Sequence, residues 1–475
     1  MERNLKRWIG SAAIAVLAMT SFQAGGAERA WVGGNGGGPT DWDRKQNWSS
    51  NNTPGASDTA VFAGAVAASQ PTVNKASSVL GIAFKSSGWT IGSGNTLTVN
   101  AGGINASATG TNTVNSAISL GAAQTWSVAS GGTLVVGGVI GGGNSLTKDG
   151  AGTLSLSGAN TYSGGTILNA GTIQFSAANR LSTTGAITLN GGTLNLGGFA
   201  QSTSGNVTIA GGTISNGTLT KTGGTYALQS GTASVTLAGT VGAEKTTAST
   251  MTLSGSHSYT GATKVSGGAL LVNGNIASSS GVEVDSGATF GGSGIVSTIS
   301  GAGTVAPGNS PGILTAESVD GSGGLDFSFE FTNAMVDGLS QPTFANAAAS
   351  GNDVLRLTDS SPFTLALTAS NTITVDFSAV ALQHGDRFQG GFYADAGDFY
   401  SDISAAQFNY IGLGANGIQL SIVQVSANFG DGMVDGYITE FTVVPEPATT
   451  ILLSLSLGGL AFAARQKRKS GEALS

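Results

Sequence analysis

The chain contains no cysteine, so disulfides, thiolate metal ligands and cysteine nucleophiles are all excluded. Charge is scarce as well. Asp, Glu, Lys and Arg make up 9% of the 475 residues, against about 25% in an ordinary soluble domain, too few for a helical enzyme. The formal net charge is -7, which argues against a nucleic-acid partner, because phosphate binding needs a basic stripe. What replaces charge is glycine, 77 residues of it. Disorder does not follow, because 40% of the residues are hydrophobic, many in Thr, Val, Ile and Leu runs that can build a core. The length allows two or more domains.

Two hydrophobic segments frame the chain. Arg3, Lys6 and Arg7 precede an apolar run from Trp8 to Met19, followed by the small residues Ala24-Gly25-Gly26-Ala27. These are the three parts of a secretory signal peptide, with signal peptidase as partner and cleavage expected after Ala27. The apolar run is shorter than the roughly 20 residues that a retained spanning helix needs. At the other end, Pro445-Glu446-Pro447 precedes an apolar stretch over residues 448–464, then Arg465, Lys467, Arg468 and Lys469. A stretch of that length sits at the short edge of a single transmembrane helix, and the basic cluster behind it stays cytoplasmic. Everything before it therefore lies outside the membrane.

Val444-Pro445-Glu446-Pro447, one apolar helix and a short basic end together resemble the PEP-CTERM sorting signal. That resemblance implies processing by an exosortase, a membrane transpeptidase acting near Pro445, Glu446 and Pro447. It also implies display at the cell surface or in an exopolysaccharide-associated matrix. The prolines keep the motif extended and stop a helix from running upstream, as a processing site requires.

Between the ends runs a repeat. A Gly-Thr pair followed by an apolar residue recurs at Thr133, Thr153, Thr172, Thr193, Thr213 and Thr232, at steps of 20, 19, 21, 20 and 19 residues. The series extends upstream to Thr96 and Thr113 and downstream, more weakly, to Thr250, Ala269, Ala288 and Thr304. Such self-similarity marks a solenoid. Period-two segments such as Leu154-Ser155-Leu156, Leu194-Asn195-Leu196 and Val207-Thr208-Ile209 predict short strands. Gly and Asn at the joints supply corners, so each repeat of about 20 residues becomes one coil of a right-handed parallel β-helix.

Residues 154–166 align with residues 251–263 at an offset of 97, pairing Asn160 with His257 and Tyr162 with Tyr259. Together with Leu146 to Gly152, these segments resemble the autotransporter-associated β-strand repeat, and Ala306-Pro307-Gly308-Asn309-Ser310-Pro311-Gly312 is similar to the turn closing such passengers. The resemblance covers about residues 90 to 315 and implies a surface-displayed rod. No membrane barrel follows Phe441, so self-secretion is not implied.

The flanks differ from the middle. Residues 28–85 hold Trp31, Trp42 and Trp48 and read as a β cap covering the open edge of the solenoid of residues 86–312. Residues 313–444 carry 15 acids against Arg356 and Arg387, with many aromatics, and read as a second, acidic β-domain ahead of the 445–475 tail.

Candidate chemistry is thin. His257 and Asn160 read as corner residues, His384 as a turn residue without a second histidine nearby. Glu283 and Asp285 share the solvent face of one strand at about 6.6 Å, a spacing used by inverting glycosidases, yet no Arg, Lys or aromatic contact is close in sequence. Calcium has candidate ligands in Asp395, Asp398 and Asp402 and in Asp431 and Asp435, without the spacing of an EF-hand or a calcium repeat. The expectation is a non-enzymatic, cofactor-free, adhesin-like surface or matrix protein. Exopolysaccharide or its own copies are the expected partners. The rival is a carbohydrate-active enzyme or glycan-binding protein on the same scaffold, using the tryptophans or the acidic segment.

Overall fold

A computed structural model describes residues 26–33, 40–66, 69–308, 312–331, 352–358, 367, 371–379, 382, 387–394, 406–411, 413, 416–428 and 433–445. Residues 1–25, where a signal peptide is expected, Glu446 to Ser475, His384 and the acidic candidates Asp395, Asp398, Asp402 and Asp431 lie outside the described residues. Among those described, no helix is long and apolar enough to cross a membrane. The chain forms two compact units, residues 1–164 and 165–475.

In the first unit, parallel pairing starts at Glu28–Ala30 on Thr59–Phe62 and passes through Ser77–Phe84 to Leu97–Ala106. It continues through Ile118–Leu120 and Gln124–Val128 to Ile140–Gly141 and Leu146–Asp149. A second parallel ladder stacks Thr90–Ile91, Gly110–Val114, Gly132–Val136 and Thr153–Leu156. Residues 28–85 are thus built as the first coils of the stack, their strands pairing onward into Leu97–Ala106. Their tryptophans explain why the sequence there looks different: Trp31, Trp42 and Trp48 are buried with Phe62, Phe84 and Trp89 inside these coils. Aromatic bulk fills an interior that Leu and Val fill further along.

In the second unit, one ladder runs from Thr166–Leu168 through Ile187–Leu189, Val207–Ile209 and Tyr226–Leu228 to Ala243–Lys245. Thr263–Val265, Val282–Val284, Ile299–Gly301 and Val319–Asp320 extend it. Another carries Thr172, Thr193, Thr213 and Thr232 in one register, as the repeat spacing requires. Beyond that the register departs from the weaker part of the series. Thr232 pairs with Thr252 rather than Thr250, and Ala269 with Thr289 rather than Ala288. Upstream, in the first unit, Thr133 stacks on Thr111 rather than Thr113.

Alternation decides which side chains go inside. Leu194 and Ile214 stack in neighbouring coils and are fully buried, while Thr193 and Asn195 beside them face outward. Each such aliphatic side chain contributes about 2 kcal/mol by leaving water. Gly212 marks a corner with φ +70, and a Cβ there would overlap the Gly192 carbonyl oxygen of the previous coil. Only glycine meets both demands.

The acidic segment is β, and its strands extend the same stack. Thr304–Pro307 pairs with Asp326–Glu330, which pairs with Thr372–Asp376 and then Gln407–Ile411, all parallel. Ile313–Ala316 pairs with Val354–Leu357, which pairs with Arg387–Ala394. The direction then reverses: Met433–Pro445 runs antiparallel to both Arg387–Ala394 and Asn416–Asn428, closing this sheet with a hairpin.

Candidate functional site

The carboxylate pair identified in the sequence stands on the outer face, as expected, but it is not a free pair. The parallel register places Lys264 directly beside Glu283, and its Nζ lies 3.2 Å from both Glu283 Oε1 and Asp285 Oδ1. A hydrogen bond from Ser266, then Lys264, holds the Asp285 carboxyl below its ordinary range, while the two acids raise the Lys264 ammonium. A glycosidase pair needs one carboxyl kept protonated and open space for sugar and water between the two. Here a lysine from the neighbouring coil occupies that space. Sequence spacing concealed it because the partner lies one full coil away.

His257 is not a left-handed corner residue. Its side chain is inside the coil, 3% exposed, and Nδ1 accepts the Leu237 backbone N–H at 3.2 Å. Asn160 plays the same part in the sister repeat, its Oδ1 accepting Ile140 N–H at 2.9 Å. The two residues are interchangeable as internal acceptors for a strand-entry amide that would otherwise be buried unpaired. With Nδ1 accepting, the proton of the neutral ring sits on Nε2, and burial pushes the pKa down to about 4.

The residues that sequence reasoning missed are Lys148, Lys221 and Lys245, each fully buried. Period two gives the signal: Leu146-Thr147-Lys148, Leu219-Thr220-Lys221 and Ala243-Glu244-Lys245 place lysine two positions after an inward apolar residue. Lys245 stands in the inward row between Leu228 and Val265, Lys148 beside Trp126. Their ammonium groups turn to backbone carbonyls at the following bend. Lys148 donates to Asp149 and Gly150 oxygens, both at 2.7 Å, Lys221 to the Gly223 oxygen, and Lys245 to Thr247 and Gly267 oxygens. Backbone carbonyls accept from these ammonium groups, and burial lowers all three pKa values, that of Lys148 to about 8 against the opposing pull of Asp149.

Further on, Asp353 ties Gly312 to Glu330. Its carboxylate, 5% exposed, accepts Gly312 N–H at 3.0 Å and Glu330 N–H at 2.8 Å. Burial pushes its pKa up to about 6 against the pull of those two amides.

At the two processing ends the folded strands run close to the expected sites. Ala27 is already bonded into the first coil through Asp58 and Thr59. Pro445, first residue of the sorting motif, ends the last strand, where it is paired with Asn416. The remaining sorting residues, Glu446 and Pro447, and the basic cluster from Arg465 lie outside the described residues. No group of acids or histidines among the described residues is arranged to hold a metal ion.

Comparison with known families agrees with both resemblances. Residues 146–175 and 244–272 match the passenger-associated-transport-repeat, and residues 443–469 match the PEP-CTERM protein-sorting motif. The two repeat matches contain Lys148 and Lys245 at equivalent positions, so the buried lysine is shared by both copies. No curated protein and no solved structure matches the chain. The sorting motif implies processing by an exosortase-type system and anchoring in the membrane.

Proposed function

We propose that this exported cell-envelope protein, sorted through its PEP-CTERM motif, is a non-enzymatic structural element of the surface or matrix. It works in the manner of an adhesin, by repeated weak contact with exopolysaccharide or with its own copies. The observation that carries this reading is the composition of the outward rows. Thr172, Thr193, Thr213 and Thr232 follow one another coil by coil, and Asn190 bonds Asn169 at 2.9 Å across a corner. A row of short hydroxyl and amide groups at strand spacing suits multivalent contact, in which many weak sites replace one tight one. Burial of Trp31, Trp42 and Trp48 counts against sugar stacking on those rings, and the Lys264 bridge counts against catalysis at Glu283 and Asp285.

The test takes the mature protein with exopolysaccharide from its host. Sedimentation with the polymer, or concentration-dependent self-association in its absence, supports the reading. Release of new reducing ends, lost in a Glu283→Gln, Asp285→Asn variant, overturns it in favour of a carbohydrate-active enzyme.

A further inference from the structure

Two peptide bonds satisfy the small-residue rule of a signal-peptide cut: the one after Gly26, with Ala24 and Gly26 on its upstream side, and the one after Ala27, with Gly25 and Ala27. Sequence alone leads us to expect the second. The first coil distinguishes them. Ala27 N–H donates to Asp58 Oδ1 at 2.9 Å, and the Ala27 carbonyl accepts Thr59 N–H at 3.1 Å. This places Ala27 in continuation of the Glu28–Ala30 strand, whose pairing with Thr59–Phe62 begins at Glu28 beside Thr59.

Asp58 is built into the same corner. Its Oδ2 accepts Gly55 N–H at 3.0 Å, its carbonyl accepts Leu80 N–H at 2.8 Å, and Arg29 Nε approaches Oδ2 to 3.8 Å. A cut after Ala27 would delete both Ala27 hydrogen bonds and leave Thr59 N–H without its acceptor. A cut after Gly26 keeps both. Gly26 itself adopts φ +66, and any Cβ there would overlap the Ser57 carbonyl oxygen, so the chain reaches Ala27 through a residue that tolerates no side chain.

We propose that the mature protein begins at Ala27, and that its new α-ammonium group is held by the Asp58 carboxylate as the lock of the first coil. This rests on the signal-peptide reading and moves its cut one residue upstream of the bond after Ala27 expected from the sequence. Signal peptidase adds water across the Gly26–Ala27 bond, leaving a carboxylate on Gly26 and an amine on Ala27 that takes up a proton at neutral pH. The neutral N–H to carboxylate contact then becomes a charge-assisted one, which is the stronger kind. The lock also fastens the edge of the ladder, which no earlier strand covers among the described residues, where fraying would begin.

N-terminal sequencing of the protein recovered from the host envelope tests the site. A chain beginning at Ala27 is expected, and one beginning at Glu28 overturns the inference while leaving export intact. A chain still beginning at Met1 overturns the signal-peptide reading itself. The lock has its own readout in the titration of the α-amino group. Pairing with Asp58 is expected to slow its acylation near neutral pH about tenfold, equivalent to one pH unit in its pKa, and Asp58→Asn to restore the ordinary rate. Equal rates in the two proteins overturn the lock. Asp58→Asn keeps an acceptor for Gly55 N–H, so the fold is expected to survive the comparison.

Discussion

Replacing His257 by Asn separates acid sensitivity from packing, because Asn already does the same work at position 160. In the wild type, Nδ1 must stay unprotonated to accept Leu237 N–H, and burial holds the pKa near 4 against 6.5 for an ordinary histidine. Between those values the unfolded chain binds a proton that the folded chain refuses. The contribution is therefore complete above pH 6.5 and lost as pH falls toward 4. The gap from 6.5 to about 4 is worth about 3 kcal/mol at full extent. Asp353 works in the opposite sense over an overlapping range. Its folded pKa of about 6 lies above the ordinary 3.8, so stability declines as pH rises through that interval. The two offset each other, and the wild-type profile alone is expected to look flat. The difference between variant and wild type isolates the histidine. At pH 7 His257→Asn is expected to cost about 1 kcal/mol in lost packing against Tyr259, and the curves are expected to cross between about pH 6 and 5, the variant being the more stable below. Denaturant midpoints at a series of pH values, with amide exchange at Leu237, measure this directly. A variant that tracks the wild type in parallel from pH 7 to 4 refutes the assignment of the proton to His257.

The buried lysines give the alkaline counterpart: Lys148, held near 8 against 10.5, makes the protein more stable as pH rises between those values, by up to about 3 kcal/mol. Lys148→Met should remove the Lys148 share of that rise in a melting series, leaving what Lys221 and Lys245 supply, and an unchanged slope would refute it. Gly212→Val forces a β-branched residue into a left-handed corner against Gly192 and is expected to cost at least about 3 kcal/mol by chemical denaturation. Gly223→Ala, whose Cβ would only touch Ser204 O at 3.9 Å, is expected to cost less than about 1 kcal/mol. A chain ending at Val444 should be exported yet recovered from the medium by immunoblot, and its retention in the envelope would show a second anchor.

How much of this was legible in the sequence depends on how local each signal is. The coil period shows because Gly-Thr corners repeat within about 20 residues, and strand faces show because Leu and Ser alternate. Beyond Ala316 the period vanishes for a physical reason. Ile313 pairs with Val354 and Phe327 with Ile373, so the chain between successive strands is twice as long as in the coils before. Leu325-Asp326 and Asn371-Thr372 stand where Gly303-Thr304 marked the coil before, so continuing coils look like a new domain. Lys264 escaped notice beside Glu283 because neighbours across a coil are far apart along the chain. Lys148, Lys221 and Lys245 sit in inward phase, but lysine is ordinarily read as a solvent-facing residue. His257 misled in another way: its match to Asn160 suggested shared backbone geometry, whereas the shared property is an acceptor atom.

Pro445 is the last residue held in the closing hairpin, and the apolar stretch of the anchor begins at Ala448. Only Glu446 and Pro447 lie between, a span of about 10 Å from Pro445 to Ala448 even when fully stretched. While the tail is uncut the protein has no leash. A tail inserted in the bilayer from Ala448 would keep the protein close against it, moving at the pace of lateral diffusion and meeting what lies within reach of its own coils. An enzyme cutting at the motif would work beside the end of a folded hairpin, and a cut that detached the tail would turn a membrane-bound protein into a freely diffusing one.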